Sequence, residues 1–172
     1  MKKKLFYLAA LLCCVATGLA FTSCGDDEPD VTATARYSII FDDDFFNAVD
    51  LVIIYYKDNG EVKADAITSG TTSWVKDVSG TLPNEFGVKW QFQPKDASSL
   101  TEESYNLFTA ATISLTASNG STFSQTKPII SNASVKKNDV IKTIQKASGN
   151  TFGYRVSKNG DAQRNDNLNY DK

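Results

Sequence analysis

Any chemistry in this 172-residue chain must be done without imidazole, because it contains no histidine. That removes Ser-His-Asp and Cys-His catalysis and most zinc sites. Oxygen ligands remain. Asp42, Asp43 and Asp44 crowd three carboxylates together, the hard ligands that calcium takes. Consecutive residues in extended chain point to opposite faces, so the triplet reads as a solvated turn that blocks edge pairing. Asn159, Asp161, Gln163 and Asn165 offer an oxygen ligand at every second position. Arg164 stands where a calcium loop needs glycine, and no Glu closes the loop. Glu102 and Glu103 are neighbours, whereas a glycosidase needs two carboxyls facing each other across about 5–10 Å. There is no Gly-rich phosphate loop and no nucleophile elbow. No catalytic residue, metal or cofactor is expected, and a carboxylate-based hydrolase is the weakest of the function classes considered.

Aromatic side chains are the other candidates for contact with a ligand. Trp90 alternates with Val88 and Phe92, which places it in a core. Trp74 shares a face with Thr72, Lys76 and Val78, a mixed set that suits packing or surface contact. Tyr55 and Tyr56 end an apolar run beside a hairpin tip, so one of them points outward in a regular strand. Trp74 and Tyr56 are the candidate ligand contacts.

The cysteines carry the sharpest signal. Cys13, Cys14 and Cys24 all lie near the N-terminus, behind Lys2, Lys3 and Lys4 and the apolar run Leu5–Ala16. A basic start, a short apolar segment and small residues make a secretory signal. The segment only reaches the short end of the ~20 apolar residues a membrane span needs. Phe21-Thr22-Ser23-Cys24 resembles a bacterial lipobox. The resemblance implies a diacylglycerol thioether on Cys24, cleavage before it and a signal over residues 1–23. Gly18-Leu19-Ala20 also fits an ordinary cleavage site, but a cut there would leave Cys24 a lone thiol in an oxidising compartment. Asp26, Asp27 and Glu28 follow the cysteine and resemble the acidic export tag of surface lipoproteins of Bacteroidota-type bacteria. That resemblance implies an outer-membrane lipoprotein held at the cell surface, with a periplasm-facing orientation as the alternative. Taken alone, the same charges make residues 24–30 a solvated tether.

Removing the signal takes three of the 18 Lys and Arg and leaves 15 against 20 Asp and Glu, a net charge of about −5. With no long basic stripe, nucleic acid is not an expected partner. The folded part has no cysteine for a disulfide, so buried apolar area must hold it together, at roughly 25 cal/mol per Å².

The elements read as strands. Val31, Ala33, Ala35, Tyr37, Ile39 and Phe41 alternate with polar residues, the period of two of a half-buried strand. Leu51–Tyr56 is apolar on both faces, as in a strand covered on both sides. Asp58-Asn59-Gly60 supplies a tight turn to a partner strand over Val62–Ile67. Further strands are predicted over Ser73–Val78, Phe86–Phe92, a long Tyr105–Ala117, Ser121–Thr126 and Thr151–Val156. Val140–Lys146 could be a helix with Val140, Ile141, Ile144 and Ala147 on one face. Its β-branched content and the Lys137-Asn138-Asp139 turn favour a strand. Residues 158–172 are polar and read as a frayed tail.

About eight short strands between turn signals predict an all-β domain over residues 31–157, an immunoglobulin-like or related Greek-key β-sandwich. The expected function is a non-catalytic binding or interaction module, tied to the membrane through its lipid, with a glycan or an envelope protein as ligand. Loops at one sandwich end, such as Asp42–Asn47 or Pro94–Ser104, would make the contacts. The alternative is a structural subunit of a surface fibre or envelope assembly, which an unpaired edge strand would favour.

Overall fold

The computed structural model describes residues 30–131 and 134–171, so Cys24, Asp26, Asp27 and Glu28 lie outside the described residues. The chain forms an all-β sandwich. Strand β1 (Thr32–Phe41) buries Ala33, Ala35, Tyr37, Ile39 and Phe41, as its alternation predicts. A single helical turn, α1 (Phe45–Ala48), leads into β2 (Val49–Asp58). Asn59 and Gly60 have φ of 50° and 83° and turn β2 back into β3 (Glu61–Ile67). β4 (Ser73–Thr81) and β5 (Asn84–Pro94) follow. Next come β6 (Ser104–Tyr105), β7 (Thr109–Ala117) and β8 (Thr122–Ile130). β9 (Val135–Lys136), helix α2 (Lys137–Ala147), β10 (Thr151–Val156) and β11 (Ala162–Arg164) complete the order.

The first sheet runs β4-β1-β7-β8 and the second β11-β10-β5-β2-β3, with every neighbour antiparallel. β6 and β9 form a separate two-residue ladder. The chain changes sheets repeatedly, from β1 to β2, from β3 to β4 and on to β5, from β5 to β7 and from β8 to β10. Inner-face residues of both sheets make one apolar core. Trp90 sits in it, fully buried, as the sequence predicts.

Tyr37 joins the sheets at the centre. From the first sheet its hydroxyl donates to the Lys57 carbonyl (2.8 Å) and accepts from the Gly87 N–H (3.1 Å) in the second. β2 and β5 cease to pair after Tyr56 and Val88. The hydroxyl therefore supplies the polar partner that the two diverging strands no longer give each other, as buried backbone groups require. Burial raises the phenol pKa, opposed by the Gly87 N–H.

Each open flank is closed differently. On one, Asp65 of edge strand β3 takes hydrogen bonds from Trp74 Nε1 (3.0 Å) and Lys76 Nζ (3.3 Å) of edge strand β4. On the other, α2 lies beside β5 and β8. Trp90 Nε1 donates to the last-turn Ala147 carbonyl (2.8 Å), and Phe123 of β8 meets Tyr154 of β10 edge-on.

Three sequence expectations are corrected. Residues 137–147 are a helix, not a strand. Val140, Ile144 and Ala147 recur at helical spacing and are buried, and burying such side chains contributes about 1.5–3 kcal/mol each for the larger ones. That outweighs the few tenths of a kcal/mol per residue by which β-branching disfavours helix. Asp139 in the first turn and Lys146 in the last suit the helix dipole.

The tail is not frayed. β11 pairs with β10, and Leu168 and Tyr170 are buried. They lie over Gly87 and Gly153, which face each other across β5 and β10. A Cβ on Gly87 would sit 2.5 Å from the Tyr170 hydroxyl, and one on Gly153 would sit 2.4 Å from Leu168 Cδ1. The third correction is the long strand, which starts at Thr109; Tyr105 belongs to the short ladder with Val135, although both Tyr105 and Leu107 are buried.

Candidate ligand groove on the second sheet

Neither candidate aromatic is presented to solvent. Tyr56 is 3% and Trp74 8% exposed, with ring centroids 5.7 Å apart inside the β3–β4 flank. Lys76 Nζ lies 5.1 Å from the Tyr56 ring centroid. Tyr56 hydroxyl, Trp74 and Lys76 all converge on Asp65. The sequence offers both as candidate ligand contacts and reads Trp74 as suited to packing too; in the fold they pack in a flank whose indole and hydroxyl groups are already partnered. The Asp42–Asp44 carboxylates sit at the turn into α1, where Asp44 accepts from the side chains of Asn47 and Asn106. Asn159, Asp161, Gln163 and Asn165 are spread along the β10–β11 turn and beyond. Asn165 Oδ1 accepts from the Asn167 N–H, and Gln163 pairs with Arg155 in the sheet.

A better candidate lies on the outer face of the second sheet. Strand β2 buries Val52, Ile54 and Tyr56 inward, while Leu51, Ile53 and Tyr55 are only half-buried on the outer side. The sequence expectation that β2 is covered on both faces is thus only partly met. The tail covers one end of this outer face, where Tyr170 stacks near Lys57. At the other end the face is open.

There a groove of about 570 Å³ is lined by Leu51, Ile53, Gln91, Gln93, Pro94, Gln145 and their neighbours. β2 and β5 supply the floor, because Ile53 and Gln91 are register partners. The C-terminal end of α2 supplies one wall through Gln145, Ser148 and Gly149. Ser148 fixes that wall: its hydroxyl accepts from the Phe92 N–H (2.8 Å) and donates to the Phe92 carbonyl (3.4 Å). Gly149, at φ 79°, turns the chain so that its N–H reaches the Trp90 carbonyl (2.8 Å). Tyr55 stands beside the groove and donates to Gln91 Oε1 (3.3 Å).

Among the described residues, no ionisable side chain lines the groove. Its floor sets Leu51 and Ile53 of β2 beside the Gln91 and Gln93 amides of β5, and Gln145 and the Ser148 hydroxyl stand on the wall. Such a surface can hydrogen-bond both donors and acceptors of an uncharged ligand while covering its apolar C–H faces. Of these residues the sequence points only to Pro94, the first residue of the Pro94–Ser104 loop expected to make contacts. The signal was present in the doubly apolar run of β2 and in the alternating Gln91 and Gln93.

Among known proteins, no family model matches this chain and no curated protein sequence matches it significantly.

Proposed function

We propose that this chain is a lipid-anchored, cell-surface binding module that holds an uncharged glycan in the groove of the second sheet. The observation that carries this is the groove's lining, aliphatic from β2 and amide from β5 and α2, with no charge to desolvate among the described residues. Sugars present the same pair of surfaces, an apolar C–H face and hydroxyls that both donate and accept. The sequence around Cys24 supports the anchor, and the acidic residues after it support the surface location.

The test is a panel of neutral oligosaccharides presented to the full chain in detergent micelles, with affinity measured by calorimetry. We expect the best binder to lose about tenfold in affinity, roughly 1.4 kcal/mol, in Gln91→Ala. Gln91 is exposed, so the fold should be unchanged. Retention of no neutral sugar, or full affinity in the variant, overturns the glycan reading.

One observation favours a second reading, a subunit of a surface assembly. β4 is a nine-residue edge strand, and Val75 on it is 52% exposed beside Ile40 of β1 at 45%. Of the other edges, β8 carries Pro128 and β11 is three residues long. Concentration-dependent oligomers that disappear in Val75→Lys would support strand addition at β4.

A further inference from the structure

The cations of this domain are unevenly matched. All three arginines are paired: Arg36 with Asp77, Arg155 with Glu85 and Arg164 with Asp166. Lys63, Lys76 and Lys127 also meet carboxylates. The four lysines at and on α2 do not. Lys136, Lys137, Lys142 and Lys146 are all exposed, and none meets a carboxylate among the described residues.

Three of the four, Lys136, Lys142 and Lys146, line one depression with Ser134 and Thr143. Asp139 is the single acid there. Lys142 and Lys146 are one turn apart on the same face of the helix. Lys57, Lys89 and Lys95 also meet no carboxylate among the described residues, but they are buried or half-buried, so in a sequence of net charge −2 the exposed, unpaired lysines among those residues gather at α2. Salt screens the net charge over roughly 8 Å in physiological solution, so an approaching anion responds to this local patch.

We propose that this face of α2 binds an acidic polysaccharide through its sulfate, phosphate or carboxylate groups. The lysines are strung along the helix over about 15 Å, from its 1.5 Å rise per residue, which suits anions repeated along a chain. Lysine gives point charges that accept such groups in any orientation, whereas arginine favours fixed bidentate geometry. The Ser134 and Thr143 hydroxyls serve a hydroxylated ligand. A peptide partner would want an apolar anchor pocket or an open strand edge; among the described residues the one apolar residue of the depression, Val135, is itself buried. This site is a separate surface from the neutral groove and stands whether or not that groove binds sugar.

The test is binding of the full chain in detergent micelles to dextran sulfate, with neutral dextran of equal length as control. Dextran sulfate should bind, and its affinity should fall as salt rises. Lys142→Gln with Lys146→Gln should weaken it at least about tenfold, a change of roughly 1.4 kcal/mol, and flatten the salt dependence. Lys63→Gln, which removes a charge elsewhere, should leave affinity within about twofold, less than 1 kcal/mol. The proposal falls if the helix variants bind as tightly as the parent, or if Lys63→Gln loses as much. It also falls if anionic phospholipid vesicles, but not dextran sulfate, depend on Lys142 and Lys146. Gln91→Ala reads the groove independently and should not alter dextran sulfate binding.

Discussion

Tyr37 holds two backbone groups that would otherwise be buried without partners, the Lys57 carbonyl and the Gly87 N–H. Its residue is fully buried, so water cannot replace the hydroxyl. Leaving a buried donor or acceptor unsatisfied costs about 1–3 kcal/mol. We therefore expect Tyr37→Phe to destabilise the domain by about 2–4 kcal/mol, with an unchanged denaturant slope. A urea titration showing a loss below about 0.5 kcal/mol would mean the strands close the gap themselves. The sequence placed Tyr37 on the buried face of β1 but gave no sign of this role. That role depends on where β2 and β5 part, which is set by register between distant strands. The surroundings of Trp74 and Tyr56 are hidden from the sequence for a related reason. Their partner Asp65 comes from the neighbouring edge strand, and only the folded flank brings an acidic side chain inward to meet the indole.

The elements were legible where a single periodicity acts alone. β1 follows its alternation residue by residue, and β5 does so except at Gly87, which the tail buries. α2 was harder because Val140, Ile141 and Ile144 speak for strand while their spacing speaks for helix, and no side chain caps its N-terminus. The tail was illegible for a different reason. Leu168 and Tyr170 are scattered among Asn and Asp, and what receives them is a pair of glycines from β5 and β10. The neutral groove was half visible, its floor in the apolar run of β2 and its wall hidden in the misread helix.

The tail's attachment makes a prediction about acid. Burial works against ionisation of Asp166, but the Arg164 guanidinium, Lys127 and the Gly153 N–H together hold its carboxyl below the usual range. A depressed carboxylate pKa stabilises the folded state above the unfolded value, about 3.9. That contribution is lost as pH falls through the lower folded value. Hydrogen exchange at residues 151–155 and 165–171 should therefore quicken below about pH 4. Asp166→Asn should already exchange faster at neutral pH and respond less to acid. Identical acid responses in parent and variant would dissociate the carboxylate from the docking.

At the scale of the whole molecule, the sandwich has no disulfide to draw on, since the three cysteines all precede it. What the chain does with Cys24 decides where the sandwich works. Cys24→Ala should move the protein from the membrane fraction to the soluble fraction of fractionated cells, and mass spectrometry of the parent should find a lipidated cysteine at the mature terminus. An unmodified terminus beginning at Phe21 would refute the anchor. A lipid on Cys24, as we propose, would keep the domain close to its own membrane, so both the neutral groove and the lysine face would act on chains lying near the cell.

The two tryptophans sit on opposite flanks, one against Asp65 and Lys76, the other under the last turn of α2. The domain thus carries a native pair of optical reporters. Replacing either with phenylalanine leaves a single indole whose emission senses only its own side. Under graded urea, the two spectra would reveal whether the seams of the sandwich open together or one after the other.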